Sequence, residues 1–224
     1  MIEELLPPGA HAAETFGDNP DAYLLPAEEP IVARAVEKRR REVTNARTCA
    51  RTALRELTGA EFAIPRGEKG EPRWPAGVVG AITHTKGYCA AVVASAEKLR
   101  GVGIDAEEHG PLPDGVFAHI AFGAERDQLA ELGAATGQAG RDGIHWDRLL
   151  FSAKESVYKV WFPLTRRWLG FEDAELTLDP AGGGFRARIL IDGTTVDNSP
   201  ELTELSGKFL VRNGIVVTAI ALSH

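Results

Sequence analysis

Asp105 and Glu107 are the first residues whose type and spacing suggest chemistry. They close the segment Val102-Gly103-Ile104-Asp105-Ala106-Glu107-Glu108. Apolar residues there alternate into carboxylates, which reads as a short strand ending in a loop, with Val93–Leu99 before it and Pro111–Pro113 after it. Gly101 and Gly103 mark a turn and a close backbone approach. On a strand, side chains two apart share a face, so both carboxylates point the same way. Two hard oxygen anions held like this repel unless a cation lies between them. Mg2+ suits, since it takes carboxylate oxygens and keeps room for water and substrate phosphates. The same pattern also fits a solvated acidic strand end.

The element that must answer this strand is the segment from Trp146 to Phe162. With successive residues about 100° apart, Trp146, Leu149, Ala153, Val157, Val160 and Trp161 form one apolar stripe of a helix. Arg148, Ser152, Glu155 and Lys159 fall on the opposite side, and Pro163 is expected to end the helix. Taken alone, Glu155 and Lys159 are an i,i+4 pair of the kind common on solvated helices. Taken in order, G-I-D-x-E and the W…K-E-S-x-x-K run roughly 40–50 positions later resemble the paired signature of phosphopantetheinyl transferases. The likeness is closest to the surfactin type, and within it to actinobacterial enzymes serving polyketide, lipid and siderophore synthases. It covers nearly the whole chain from Pro30 onward.

That resemblance implies an α+β fold of two similar α/β halves related by pseudo-twofold symmetry. Residues 1–108 would bind coenzyme A, residues 109–224 would carry the K-E-S-x-x-K helix, and the active site would lie in the cleft between them. The implied reaction moves 4'-phosphopantetheine from coenzyme A to a serine of a carrier protein and releases adenosine 3',5'-bisphosphate. Asp105, Glu107 and Glu155 would hold Mg2+, with Mn2+ an alternative, and Lys159 would meet a phosphate. Arg39 and Arg47, eight positions apart and so nearly on one helix face, match family positions at the 3'-phosphate and adenine end. The planar fork of Arg suits both phosphate and purine. Arg66-Gly67-Glu68-Lys69-Gly70-Glu71-Pro72 resembles the family's phosphate-contacting loop, with Arg66 standing where Lys is frequent. Thr83 and His84 match its S/T-H pair, and Trp168 a position near pantetheine or nucleotide. Ordinary roles also fit these residues: a solvated helix face for the arginines, a charged turn for the loop, polar surface for His84 and core packing for Trp168.

Composition bounds the rest. A chain of 224 residues with 44% hydrophobic and 25% charged residues is an ordinary globular protein of one or two domains. No apolar run is long enough to cross a membrane. The acidic start Met1-Ile2-Glu3-Glu4 is unlike a signal peptide. Cys49 and Cys89 have no metal-binding spacing and make no disulfide framework, which fits a reducing cytoplasm. The net charge of −7 argues against nucleic acid as a partner. The implied partners are acyl, peptidyl or aryl carrier proteins of polyketide, fatty-acid or nonribosomal peptide synthases. These are acidic, so a basic strip drawn from Arg126, Arg141, Arg166 and Arg167 is expected to meet them. The resemblance further implies a monomer. A non-catalytic coenzyme A-binding module and a Mg2+-dependent phosphohydrolase remain the competing readings.

The other elements follow from pattern. A short strand is expected near Ala22–Leu25. One long or two abutting helices should run from Pro30 to a stop at Gly59. Val78–Ile82 and Tyr88–Ser95 should form a hairpin with Thr83–Gly87 as its loop. One or two helices fit Leu112–Leu132, and a loop fits Gly133–Gly143. The chain should end in strands at Glu175–Leu178, Phe185–Leu190, Lys208–Arg212 and Ile215–Ala221, the last two joined by an Asn213-Gly214 turn.

Overall fold

A computed structural model describes residues 1–135 and 143–224. Within these residues the fold is α+β, with a helix packed on the outer face of each of two antiparallel sheets. In the first sheet the strand order is β1 (Ala10–Phe16), β3 (Tyr88–Ser95), β2 (Val78–Thr85). In the second it is β4 (Gly101–Glu108), β8 (Ile215–Leu222), β7 (Glu204–Arg212), β6 (Gly184–Ile189), β5 (Ala174–Asp179). The sheets change over between Ser95 and Gly101, because β4 pairs with β8, Asp105 opposite Thr218.

Side-chain alternation builds the layers. On β3, Cys89 and Ala91 face helix α1 (Glu37–Thr58) and meet Ala46, Cys49, Ala50 and Leu54. Ala90, Val92 and Ala94 face the other way and join Val102, Ile104, Ala106, Val217 and Ala219 between the sheets. A strand covered on both faces has no polar side to show, which is why β3 reads as one apolar run. Helix α4 (Trp146–Thr165) covers the far face of the second sheet with Leu149, Ala153, Val157 and Trp161, all fully buried. Full burial of a large apolar side chain is worth about 1.5–3 kcal/mol, so this stripe anchors the helix that carries Glu155 and Lys159.

Gly103 sets how closely strand and helix approach. A Cβ there would lie 2.1 Å from the Ser156 carbonyl oxygen, so the α4 backbone rests directly on β4. The close approach expected of Gly103 is present. The turn is not, since Gly101 and Gly103 both lie inside β4.

Other boundaries also differ. Residues 22–25 form no strand; their backbone is held to α1, with the Tyr23 N–H donating to Thr48 Oγ1 and Arg51 donating to the Tyr23 carbonyl. Pro30 opens only a short 3-10 turn, Glu29–Val32. The buried Glu28 fixes that turn by accepting the Leu25 and Ile64 N–H groups and pairing with Arg51. The α-helix proper begins after an extended Val36, and Gly59 ends it with φ 75° as expected. β2 runs on through Thr85, so Thr83 and His84 are strand residues, and the turn is Lys86-Gly87. Helix α4 passes through Pro163 to Thr165. Proline in a last turn removes a single hydrogen bond, here to the Lys159 carbonyl. Phe117–Ile120 (α2) and Ala124–Ala135 (α3) are two helices, the second taking in Gly133. Of the loop expected after Gly133, residues 136–142 lie outside the described residues. Asn213 and Gly214 both have positive φ, 54° and 71°, as a two-residue hairpin of this kind requires. Cys49 and Cys89 are free thiols, 3.8 Å apart between α1 and β3.

Candidate active site

The residues singled out in the sequence distribute around one cleft of about 1180 Å³. One wall is α1, which contributes Arg39 and Arg47 eight residues apart on a shared face. Arg47 is buried, and its Nε has no partner among the described residues. Burial, together with the charges of Arg39, Arg51 and Arg66 and against the pull of Glu28, pushes its pKa down to about 10. Cations crowded like this with an idle buried donor are a site prepared for an anion.

A second wall is the turn at residues 66–72, closed by a bridge between Arg66 and Pro72 and by the Gly67 N–H donating to the Glu71 carbonyl at 2.7 Å. Arg66, Glu68 and Lys69 line the cleft from it. At Gly67 a Cβ would meet the Glu71 carboxylate at 2.2 Å, so a larger residue would displace that side chain. That carboxylate accepts the Lys69 N–H and so holds the turn. From β2, His84 faces the cleft, and Arg39 donates to its Nε2 at 2.5 Å. Burial and then Arg39 push His84 below its ordinary pKa, so it is neutral and accepts.

The floor is the contact of β4 with α4. Lys159 Nζ donates to the Ile104 carbonyl and to Asp105 Oδ1, both at 2.9 Å. Thr83 Oγ1 donates to the same Asp105 oxygen at 3.3 Å. Asp105 is 5% exposed, and its Oδ2 is buried with no partner among the described residues. Glu155 lines the cleft and makes no hydrogen bond or ion pair among the described residues. Burial, then the charge of Asp105, hold the Glu155 carboxyl above its ordinary 4.5 against the pull of Lys159. Burial and Asp105 raise Glu107 likewise. Glu107, however, accepts a hydrogen bond from Arg148 at 3.0 Å.

These acids fit a hard cation by donor type, by mutual repulsion and by the idle Asp105 Oδ2. They do not yet converge on one point: among the described residues no group of three or more acids, histidines or cysteines is close enough to hold an ion.

Comparison with known proteins bears on what such a cleft serves. Residues 101–212 match the model of the 4'-phosphopantetheinyl transferase superfamily, and residues 27–94 that of the 4'-phosphopantetheinyl transferase N-terminal domain. The chain is 45% identical over 228 residues to 4'-phosphopantetheinyl transferase Npt of Nocardia iowensis, covering 99% of each chain. To PptT of Mycobacterium tuberculosis it is 49% identical over 214 residues, covering 94% of this chain and 91% of the relative. To Svp of Streptomyces mobaraensis it is 46% identical over 226 residues, covering 100% and 89%. This chain belongs to the 4'-phosphopantetheinyl transferase superfamily.

In this transferase some singled-out residues stand back from the cleft. Thr83, Asp105 and Glu107 lie behind the residues that line it, and Gly67 shapes the turn. Trp168 is 75% exposed and packs against Tyr158, ring centroids 5.3 Å apart, rather than in a core. Ser152 is fully buried, sharing a hydrogen bond with Thr218 of β8 at 3.0 Å. The polar side of α4 therefore faces β4 and β8 rather than solvent.

Four arginines were expected to form a basic strip. Arg126 donates to the Ala118 and Ala121 carbonyls, Arg166 pairs with Glu71, and Arg167 pairs with Asp192. Arg141 lies outside the described residues. The sequence reading passed over Glu42, which pairs with Arg39 at 3.3 Å and lies 3.6 Å from His84. Its i+3 spacing from Arg39 was the available signal. It also passed over Tyr158, which lines the cleft about one turn beyond Glu155, and Arg166, expected in the basic strip, lines the same cleft.

Proposed function

We propose that this chain transfers 4'-phosphopantetheine from coenzyme A to a serine hydroxyl of apo acyl, peptidyl or aryl carrier proteins, as a surfactin-type enzyme. One observation carries the proposal. A single cleft runs from the buried Arg47 and the exposed Arg39, Arg66 and Lys69 to Glu155 and Lys159, with Asp105 behind them. Coenzyme A is a linear polyanion with a phosphate at one end and a diphosphate further along. Residues 1–108 supply the groups for its nucleotide end; residues 109–224 supply the helix beside the diphosphate.

The bond that forms joins the carrier serine oxygen to the β-phosphorus. The bond that breaks joins that phosphorus to the bridging oxygen, and adenosine 3',5'-bisphosphate leaves. Arg47 and Arg39 hold the nucleotide in place, which serves the reaction mainly by positioning. Lys159, tethered by the Ile104 carbonyl, presents positive charge to the diphosphate. Glu155 accepts the serine proton. Mg2+, or Mn2+, held by Asp105 and Glu155 with Glu107 beside them, would supply charge neutralisation on the diphosphate. The carriers would be those of polyketide, fatty-acid, nonribosomal peptide and siderophore synthesis, met by a monomer in the cytoplasm. No helix among the described residues is long and apolar enough to cross a membrane.

Incubation with coenzyme A, Mg2+ and an apo carrier tests this by mass spectrometry. Gain of the phosphopantetheine mass on the carrier supports it. Release of adenosine bisphosphate with an unmodified carrier would make the chain a hydrolase instead.

A further inference from the structure

No step of the proposed transfer uses the two thiols of this chain, yet they lie directly behind its nucleotide groups. Cys49 and Cys89 are its only cysteines. The fold sets their sulfurs 3.8 Å apart, with both residues 4% exposed. Both side chains enter one layer, because Cys89 shares its strand face with Ala91 and that face meets α1. A disulfide spans about 2.0 Å, so the sulfurs have about 1.8 Å (3.8 − 2.0) left to close. Ala46, Ala50 and Ala91 share the layer, and such short side chains let helix and strand approach. The Cys89 contact, and less strongly the Thr15 hydroxyl, hold the Cys49 thiol at about 7, below the ordinary 9.0 and against its burial. The pair therefore carries a thiolate near neutral pH.

The thiols are within reach of a small reagent and of the nucleotide groups. Cys89 lines a second cavity of about 350 Å³ at the start of α1, shared with Asp18, Lys38, Arg41 and Lys86. A water-sized oxidant enters there. Arg47 precedes Cys49 by two residues on α1, and His84 is the partner of Cys89 in the register of β2 on β3. Arg39 spans the same two walls by donating to His84 Nε2. Drawing Cys49 onto Cys89 thus shifts both arginines of α1 against His84.

We propose that Cys49 and Cys89 are a peroxide-sensitive thiol pair, and that their disulfide lowers the affinity of the cleft for coenzyme A. One sulfur, as thiolate, attacks an oxygen of hydrogen peroxide. An S–O bond forms, the O–O bond breaks, and hydroxide leaves as water with the proton the thiol gave up. The second sulfur then attacks the first. S–S forms, S–O breaks, and the second thiol's proton leaves with the oxygen as another water. The two thiols lose two electrons, and one peroxide is reduced to two waters. A small dithiol reverses the bond by exchange. The effect on coenzyme A rests on the proposed transferase reading; formation of the bond does not.

The test treats the full chain with hydrogen peroxide, removes the peroxide and counts thiols by N-ethylmaleimide labelling under denaturing conditions and intact mass. The parent should take two labels before oxidation, none after it with the loss of two hydrogens, and two again after dithiothreitol. By titration calorimetry, the oxidised parent should bind coenzyme A about tenfold more weakly, the loss expected for one charge-assisted hydrogen bond. Cys49→Ser and Cys89→Ser should each bind coenzyme A as the reduced parent does, before and after peroxide. Two labels on the peroxide-treated parent, or a gain of two or three oxygens in place of the lost hydrogens, would overturn the pair. A disulfide that leaves the affinity for coenzyme A unchanged would overturn its coupling to the cleft. If the reduced parent itself bound no coenzyme A, the transferase reading would fall and the coupling with it, while the thiol count would still decide whether the pair forms.

Discussion

Gly103→Ala should disable the site without touching a single charged residue. The Cβ of an alanine would stand 2.1 Å from the Ser156 carbonyl oxygen and 2.8 Å from Val160 Cγ2. Ordinary contact begins near 3.4 Å, so strand and helix must part by about 1.3 Å (3.4 − 2.1). The obstacle is backbone, which cannot swing aside. Overpacking of this kind costs about 1–3 kcal/mol. For a chain of this size each kcal/mol lowers Tm by about 2–4 °C. Asp105 rides on the strand and Glu155 and Lys159 on the helix, so the same movement pulls the acids apart. A misplacement of about 1 Å costs on the order of a hundredfold in rate. Gly101→Ala is the control: its Cβ would meet only the tips of Val160 and Leu164, at 3.2 and 3.5 Å, and should cost far less. The assay is the initial rate of carrier loading by mass spectrometry, beside a calorimetric Tm. If Gly103→Ala loads at the parent rate with the parent Tm, the contact of β4 with α4 does not set the site.

Three further outcomes follow from the geometry. Glu155→Gln should raise Tm in the absence of metal, because it removes a carboxylate that burial and Asp105 disfavour. A raised carboxylate binds more protons folded than unfolded, so its contribution to stability falls as pH rises above the ordinary 4.5; the parent-minus-variant difference in stability should therefore decline across that range, and a flat difference would contradict it. Arg47→Ala should raise KM for coenzyme A by roughly 10–100-fold with kcat nearly unchanged, the pattern of lost uniform binding; an unchanged KM would remove Arg47 from the nucleotide site. Lys154→Met should cost about 3–5 kcal/mol, since it strands Glu125, whose side chain also accepts the Phe122 and Leu176 N–H groups deep in the protein; unfolding by denaturant measures this, and a loss under 1 kcal/mol would show that the pair is dispensable.

Local rules that no distant contact overrode were legible in the sequence. The apolar stripe of α4, the Gly59 stop and the Asn213-Gly214 turn each depend on a few neighbouring residues, and each appears where its pattern placed it. What tertiary contact decides was not legible. β1 has no apolar alternation of its own and exists because it pairs with β3 along its full length. Ser152 reads as solvated until Thr218, sixty-six residues away, satisfies its hydroxyl. Glu107 reads as one of three equal acids, because nothing in D-x-E tells that Arg148 will engage it. The late start of α1 depends on Glu28, a charge whose burial no periodicity foretells. The candidate site was therefore readable as a set of residue types. The division of labour among them came from the packing of β4 against α4.

The most direct measurement is carrier loading by Asp105→Asn, followed by mass spectrometry with coenzyme A and Mg2+. Asn keeps the side-chain size and the bond to Lys159 but removes the charge left open at Oδ2. The parent should add one phosphopantetheine to an apo carrier, and the variant should be slowed by on the order of a hundredfold or more. Loading by Asp105→Asn at the parent rate would contradict the account at its centre.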